Sequence, residues 1–178
     1  MRISSLAVDR CQPDGDYRVF ATAHDINWLA SALLVLDRTG KVLGEFWNPG
    51  WLMQIAMTAN CAEIAVWGYH NDLRLSELAD GSEEYFQIVA HFSADHIAGF
   101  APSLPGERSN GSFRWYKALT PQGTKIREIE FVGADVNIWL RCGKSLALTS
   151  DGAPGVTGIA DFSRCRDVEH GFVDIASD

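Results

Sequence analysis

Apolar and polar positions along the chain alternate in short runs, and the short period predicts strands rather than helices. Leu6-Ala7-Val8 is a brief apolar run, and Tyr17 to Ala23 is rich in strand formers. Ala32 to Leu36 is continuously apolar over strand length, as a strand buried on both faces would be. Asp37-Arg38-Thr39-Gly40 reads as a turn, with Lys41 to Trp47 as the returning strand of a hairpin. After the breaker Asn48-Pro49-Gly50, two further strands are predicted, Trp51 to Met57 and Ala62 to Gly68, around Thr58-Ala59-Asn60.

Two stretches interrupt this rhythm, at about residues 70–85 and 93–112. In the first, Asn71 to Asp80 fits a short helix or a strand equally well. The second holds Pro102, Pro105, Gly106, Asn110 and Gly111 and reads as a long loop, with one helical turn over Ser93 to Ile97. Phe86 to Phe92 lies between them as a strand. Strands are predicted again over Phe113 to Leu119, Lys125 to Val132, Val136 to Arg141, Ser145 to Thr149, Val156 to Phe162 and Phe172 to Ile175. About a dozen strands and almost no helix make this an all-β chain. It reads as one domain over residues 1–178, built of antiparallel hairpins in a partial or small propeller-like array or, alternatively, a two-sheet sandwich.

A faint repeat runs through the first third. An apolar run, a polar turn and a strand centred on Val19 recur as an apolar run, a turn and a strand centred on Ile64, about one propeller blade apart. Val8-Asp9-Arg10-Cys11-Gln12-Pro13-Asp14-Gly15-Asp16-Tyr17 looks like the acidic loop of FG-GAP/VCBS propeller repeats, and Leu36 to Leu43 is similar to their L-D-x-x-G-x-x-L hairpin. The resemblance covers residues 6–68. It implies a ligand- or protein-binding platform with calcium in the acidic loops, here on Asp9, Asp14 and Asp16. Cys11 replaces the middle acid of the first loop, and the second copy, Thr58 to Glu63, has lost its acidic loop.

The net charge of −8 argues against nucleic-acid and anionic-lipid partners. No run approaches the length of a membrane-spanning helix and no signal peptide is legible, so a cytoplasmic chain is expected. Cys11, Cys61, Cys142 and Cys165 form no CxxC pair, and in that compartment they read as free thiols. No cofactor is implied beyond the calcium of the acidic loop.

Nucleophile and phosphate-binding motifs are absent from the sequence. Glu128 and Glu130 share one strand face, which reads as a solvated surface. His91 and His96 do not match the spacing of a metal-ligand motif. Six tryptophans are many for 178 residues, and packing in the core is the first expectation for each. If exposed together, Trp47, Trp51, Trp67, Tyr69, His70 and Asn71 would form a binding patch for a protein or a neutral small ligand. The leading reading is therefore a non-catalytic interaction module. The alternatives are a small hydrolase using His70, Asp72 and His96, and a calcium-stabilised structural repeat. About three blades cannot close a ring, so open sheet edges have to be covered or shared, which admits a homo-oligomer.

Overall fold

Each predicted hairpin zips into a meander. A computed structural model describes residues 2–25, 30–71, 86–102, 109–120, 125–155 and 171–176. The first sheet is built from β1 (Arg2–Asp9), β2 (Arg18–His24), β3 (Ser31–Asp37) and β4 (Val42–Asn48), antiparallel in sequence order. The next strands, β5 (Leu52–Met57), β6 (Glu63–His70) and β7 (Phe86–Ser93), begin a second meander, which β9 (Phe113–Thr120) continues. Between β7 and β9, β8 (Ala98–Phe100) crosses back and pairs parallel with β4. The third sheet is β10 (Ile126–Val132), β11 (Asp135–Leu140) and β12 (Ser145–Leu148). Last, β13 (Gly171–Ala176) returns to the free edge of β9. Among the described residues the chain is all-β, in three mostly antiparallel sheets rather than the two of a sandwich, with a single 3-10 turn at Pro13–Gly15.

The sheets stack face on face, with the second meander in the middle. Its strands alternate two sets of apolar side chains, one toward each neighbouring sheet. Ile64, Val66, Ile88, Ala90, Phe92 and Tyr116 meet Phe20, Leu33 and Phe46 of the first sheet. Ala65, Trp67, Val89, Trp115 and Leu119 meet Ile129, Val136, Ile138 and Leu148 of the third. The first strands of the three sheets converge: β1 approaches β5, and β5 approaches β10, to within 8 Å between Cα atoms. Val19 and Ile64, the centres of the faint sequence repeat, both lie on the second strand of a meander.

Side chains tie these converging strands together. Leu52 N donates to Ser31 Oγ at 3.1 Å, and Ile55 N to Ser5 Oγ at 3.2 Å, so hydroxyls of the first sheet satisfy amides of β5. On the other side Gln54 Oε1 accepts from Ile129 N at 3.2 Å and from Trp67 Nε1 at 3.0 Å. Gly68 allows β5 and β6 to come this close, since a Cβ there would stand 2.1 Å from Trp51 O.

The expected free thiols are corrected. Cys11 and Cys61 form a disulfide, and Cys142 is also disulfide-bonded. Cys11 lies in the β1–β2 connection and Cys61 in the β5–β6 connection, so the bridge joins equivalent corners of two successive meanders. A second expectation fails at residues 93–112, where β8 lies inside the predicted loop and Ser93 to Ile97 form a turn without a helix. The ambiguous 71–80 segment lies outside the described residues apart from Asn71, as does the predicted strand from Val156 to Phe162.

Closing a loop of 50 residues restricts the unfolded chain by about 4 kcal/mol on the chain-entropy model. The double variant Cys11→Ala/Cys61→Ala should therefore lose roughly 2–4 kcal/mol in urea unfolding under non-reducing conditions. An unchanged midpoint would show that the bridge constrains nothing the sheets do not already hold.

Candidate functional site

The acidic loop folds around a cation of the protein's own. Asp9 is fully buried and accepts from Arg18 Nη2 at 2.7 Å, Arg18 Nε at 2.9 Å, Gln12 Nε2 at 2.6 Å and Cys11 N at 2.8 Å. Burial pushes this carboxyl up, but the bonds from Arg18, Cys11 and Gln12 and the Arg18 charge outweigh it and hold it below the ordinary range. Arg18 goes on to Asp95 Oδ1 at 2.9 Å and Ala94 O at 3.2 Å, tying the first sheet to the turn after β7. Asp16 is exposed and caps Tyr17 N, while the Asp14 side chain lies outside the described residues. Asp9, Cys11 and Cys61 cluster closely enough for a metal, but both sulfurs are spent in the disulfide. Guanidinium therefore fills the role the resemblance assigned to calcium at Asp9.

The proposed acid–base group does not assemble. His70 is buried, its Nε2 lies 2.7 Å from Pro102 O, and its ring meets Tyr116 edge-on at 6.0 Å. Tyr116 donates to Asn48 Oδ1 at 2.5 Å, and Asn48 Nδ2 donates to Tyr69 O at 2.8 Å. This is a buried polar network that fastens one end of the first two sheets. Phe86 is the register partner of His70, and seven residues further along β7 lies Ser93, so the strand's ends are about 23 Å apart. His96 follows Ser93 at the far end, and Asp72 lies outside the described residues.

The six-residue binding patch is likewise divided. Trp51 packs against His24 with ring centroids 4.1 Å apart and planes tilted by 45°, and it donates to Ser4 Oγ at 2.7 Å. Trp67 is buried against the third sheet, with Tyr69 edge-on at 6.1 Å. Asn71 is exposed, and its N–H donates to Pro49 O. Trp47, on a strand whose neighbours Phe46 and Asn48 face inward, lies in neither hydrophobic cluster.

Trp47 leads to a surface that the sequence reading did not assemble. Phe46 and Asn48 face the core, so alternation turns Trp47 outward on the first sheet. Cross-strand pairing extends that outer face. On β1 and β2 it carries the pairs Leu6–Ala21 and Val8–Val19. On β2 and β3 it carries Ala21–Leu34 and Val19–Leu36. On β4 and β8 it carries Trp47–Phe100 and Glu45–Ala98. Glu45 is the single charge among these positions. Leu6 is 58% exposed and Phe100 56%, far more than isolated core side chains would be. Among the described residues no hydrophobic cluster forms over this face. At the β4–β8 margin it opens into a groove of about 650 Å³ lined by Trp47, Phe100, Leu43, Glu45, Arg18 and His96, among others.

The opposite end of the stack has another character. The free face of the third sheet presents Glu128, Glu130, Asn137 and Trp139. Glu128 takes Arg127 at 2.6 Å, and Glu130 accepts from Trp139 Nε1 at 2.8 Å. The two glutamates thus lie on a solvated face.

His91, which matched no metal-ligand spacing in the sequence, is a buried ionisable group. His91 is 1% exposed, packed between Trp115 and Phe131 at centroid distances of 5.2 and 5.7 Å. Its Nε2 stands 3.2 Å from Glu63 Oε2 without a hydrogen-bonding angle, and Glu63 Oε1 accepts from Arg114 at 2.6 Å. Burial, then the Arg114 charge, lowers His91 to about 4 against the pull of the Ser150 carbonyl, while burial raises Glu63. Substrate cannot reach a ring so enclosed, so the group is structural. Comparison of the chain with protein-family models and with curated proteins returns no match.

Two predictions follow from these ionisable groups. Asp9→Asn leaves Arg18 with only the exposed Asp95 as ion-pair partner, so it should cost roughly 2–4 kcal/mol at pH 7, read by urea unfolding. In the same assay wild type should unfold identically in millimolar calcium and in chelator; a calcium-dependent rise would restore the ion-binding loop. For His91 the folded pKa of about 4 lies below the ordinary 6.5. Its neutral ring contributes fully above pH 6.5, and the contribution is lost as pH falls toward 4, by roughly 3 kcal/mol at most. Glu63, with its pKa raised, takes up a proton more readily in the folded state and softens that loss. His91→Gln should therefore lose less stability than wild type between pH 6.5 and 4.5, and equal slopes would contradict the assignment.

Proposed function

We propose that the chain is a non-catalytic interaction module whose docking surface is the outer face of the first sheet, with Trp47 and Phe100 at its margin. The observation that carries this is the cross-strand apolar face itself, which spans five strands, bears one charge and exposes Leu6 and Phe100 to solvent. The face is most open at its β1 and β8 margins, while Ala21 at its middle is 2% exposed, and exposed apolar side chains grouped in this way mark partner sites. The groove beside it is large enough to seat a projecting partner side chain. The dispersal of His70 and His96 to opposite ends of β7, and the enclosure of His91, support binding over hydrolysis.

The disulfide state supports an oxidising compartment as the place of work, against the cytosol that the lack of a legible signal peptide suggested. The described residues include no helix long and apolar enough to cross a membrane.

A photo-crosslinking amino acid placed at Leu6 or Phe100 should give discrete protein adducts in producing cells. The same group at Ala147, on the free face of the third sheet, should give none. Equal labelling from the two faces, or silence at Leu6 and Phe100, would refute the docking surface.

A further inference from the structure

We infer that the outer face of the first sheet is covered by the same face of a second copy of this chain, in a two-fold symmetric pair. The inference rests on the reading of that face as a docking surface and names its occupant.

Charge is the first argument. The chain carries a net −8, so two copies repel one another over most of their surface. The apolar face contributes only Glu45, and that residue lies toward the β4–β8 margin rather than at β3, the central strand of the sheet. It is therefore a face on which two such molecules can meet with little like-charge cost.

Area is the second. Four strands of seven or eight residues and the three-residue β8, at about 3.3 Å per residue and about 4.8 Å between strands, give a flat footprint of about 500 Å². Protruding Leu6, Leu34 and Phe100 raise the accessible area above that flat value, toward the roughly 800 Å² per partner of a standard interface. Sheets of this size pack face to face in sandwiches with strands about 30° apart, and the first and middle sheets of this molecule already bury their facing sides against each other.

The third argument concerns closure. The stack ends at one side in the charged face of Glu128 and Glu130 and at the other in the apolar face of the first sheet. Joining the apolar face of one copy to the charged face of another would bury those carboxylates. Joining two apolar faces buries none of them and leaves a charged face at both outer ends. Such a pair is isologous and closes at two copies without growing into a fibre.

Sedimentation of the purified chain, with its disulfides intact, from 1 to 100 µM tests this. The expected species has twice the 19.6 kDa chain mass. Leu6→Asp/Phe100→Asp should weaken the pair at least thirty-fold, because both side chains are more than half exposed and contribute little to the monomer's core. Val132→Asp, the same change at a 59% exposed position on the third sheet, should leave it intact. Hydrogen exchange supplies a readout independent of the variants: β1 and β8 should gain protection as concentration rises, while β11 should not. A wild-type monomer at 100 µM, a dimer indifferent to Leu6→Asp/Phe100→Asp, or a ladder of higher oligomers would each overturn the inference. A monomer that still gives adducts to another protein from the photo-group at Leu6 would overturn the second copy alone and leave the docking surface standing. A monomer silent in both assays would remove both.

Discussion

Strand β5 is where the three sheets are tied, and its polar backbone sets the terms. A sheet packed on both faces sends its inner edge strand into contact with two neighbours, where water cannot reach every amide. Each buried donor left unpaired there would cost about 1–3 kcal/mol. Ser5 and Ser31 answer two of them from the first sheet, and the Gln54 carboxamide answers the third sheet at Ile129. These bonds have direction, so they set the height at which one sheet slides on the next, which apolar packing alone leaves loose. The Cys11–Cys61 bridge acts at the same convergence from the other end of the strands.

Much of this fold was legible because it is local. Hairpins such as β3–β4 and β10–β11 pair neighbours in sequence across short turns, and period-2 alternation marks their edges. The continuous apolar run at Ala32–Leu36 marked the strand β3, but β3 joins the core through Leu33 and Val35, and the strands packed on both faces are β6 and β7. What escaped was non-local. β8 has three residues, includes a glycine with φ of 86°, and pairs in parallel with a strand about fifty residues earlier. Nothing within its own window distinguishes it from loop. Its free edge is satisfied by Ser112 Oγ and Asn110 Oδ1, turn formers that read as loop punctuation while serving as edge caps.

The candidate site was legible only in part, for a related reason. Trp47 and Trp51 flank a turn, and Trp67 ends the strand that follows, so their nearness in sequence suggested one patch. In a stack of three sheets, however, the parity of a residue on its strand decides which interlayer it enters. Trp47 turns outward, Trp67 turns toward the third sheet, and Trp51 lies under His24 at the convergence of the strands. His70 was attractive as a loop-end histidine, yet it closes β6 inside the Tyr116–Asn48 network. The bridge had a legible signal that spacing rules passed over. Cys11 and Cys61 occupy the same connection in the two copies of the faint repeat, and equivalent corners of stacked repeats are near neighbours in space.

The outer face of the first sheet sharpens the physical question, since it breaks the rule that the other free face obeys. On the third sheet, alternation delivers Glu128 and Glu130 outward and Ile129 inward, as a solvated surface requires. On the first sheet the same alternation delivers Leu6, Val8, Leu34 and Leu36 outward while Phe20, Leu33 and Val35 go inward, so the sequence is apolar in both phases. A strand needs apolar residues in one phase to hold a core, and the second phase has no use in an isolated stack. Leaving it apolar exposes side chains to water at about 25 cal/mol per Å² and invites unspecific association. The charged third sheet shows that this chain can clothe a free face in polar residues. A first sheet apolar in both phases is therefore coherent with a molecule that presents that face to another surface.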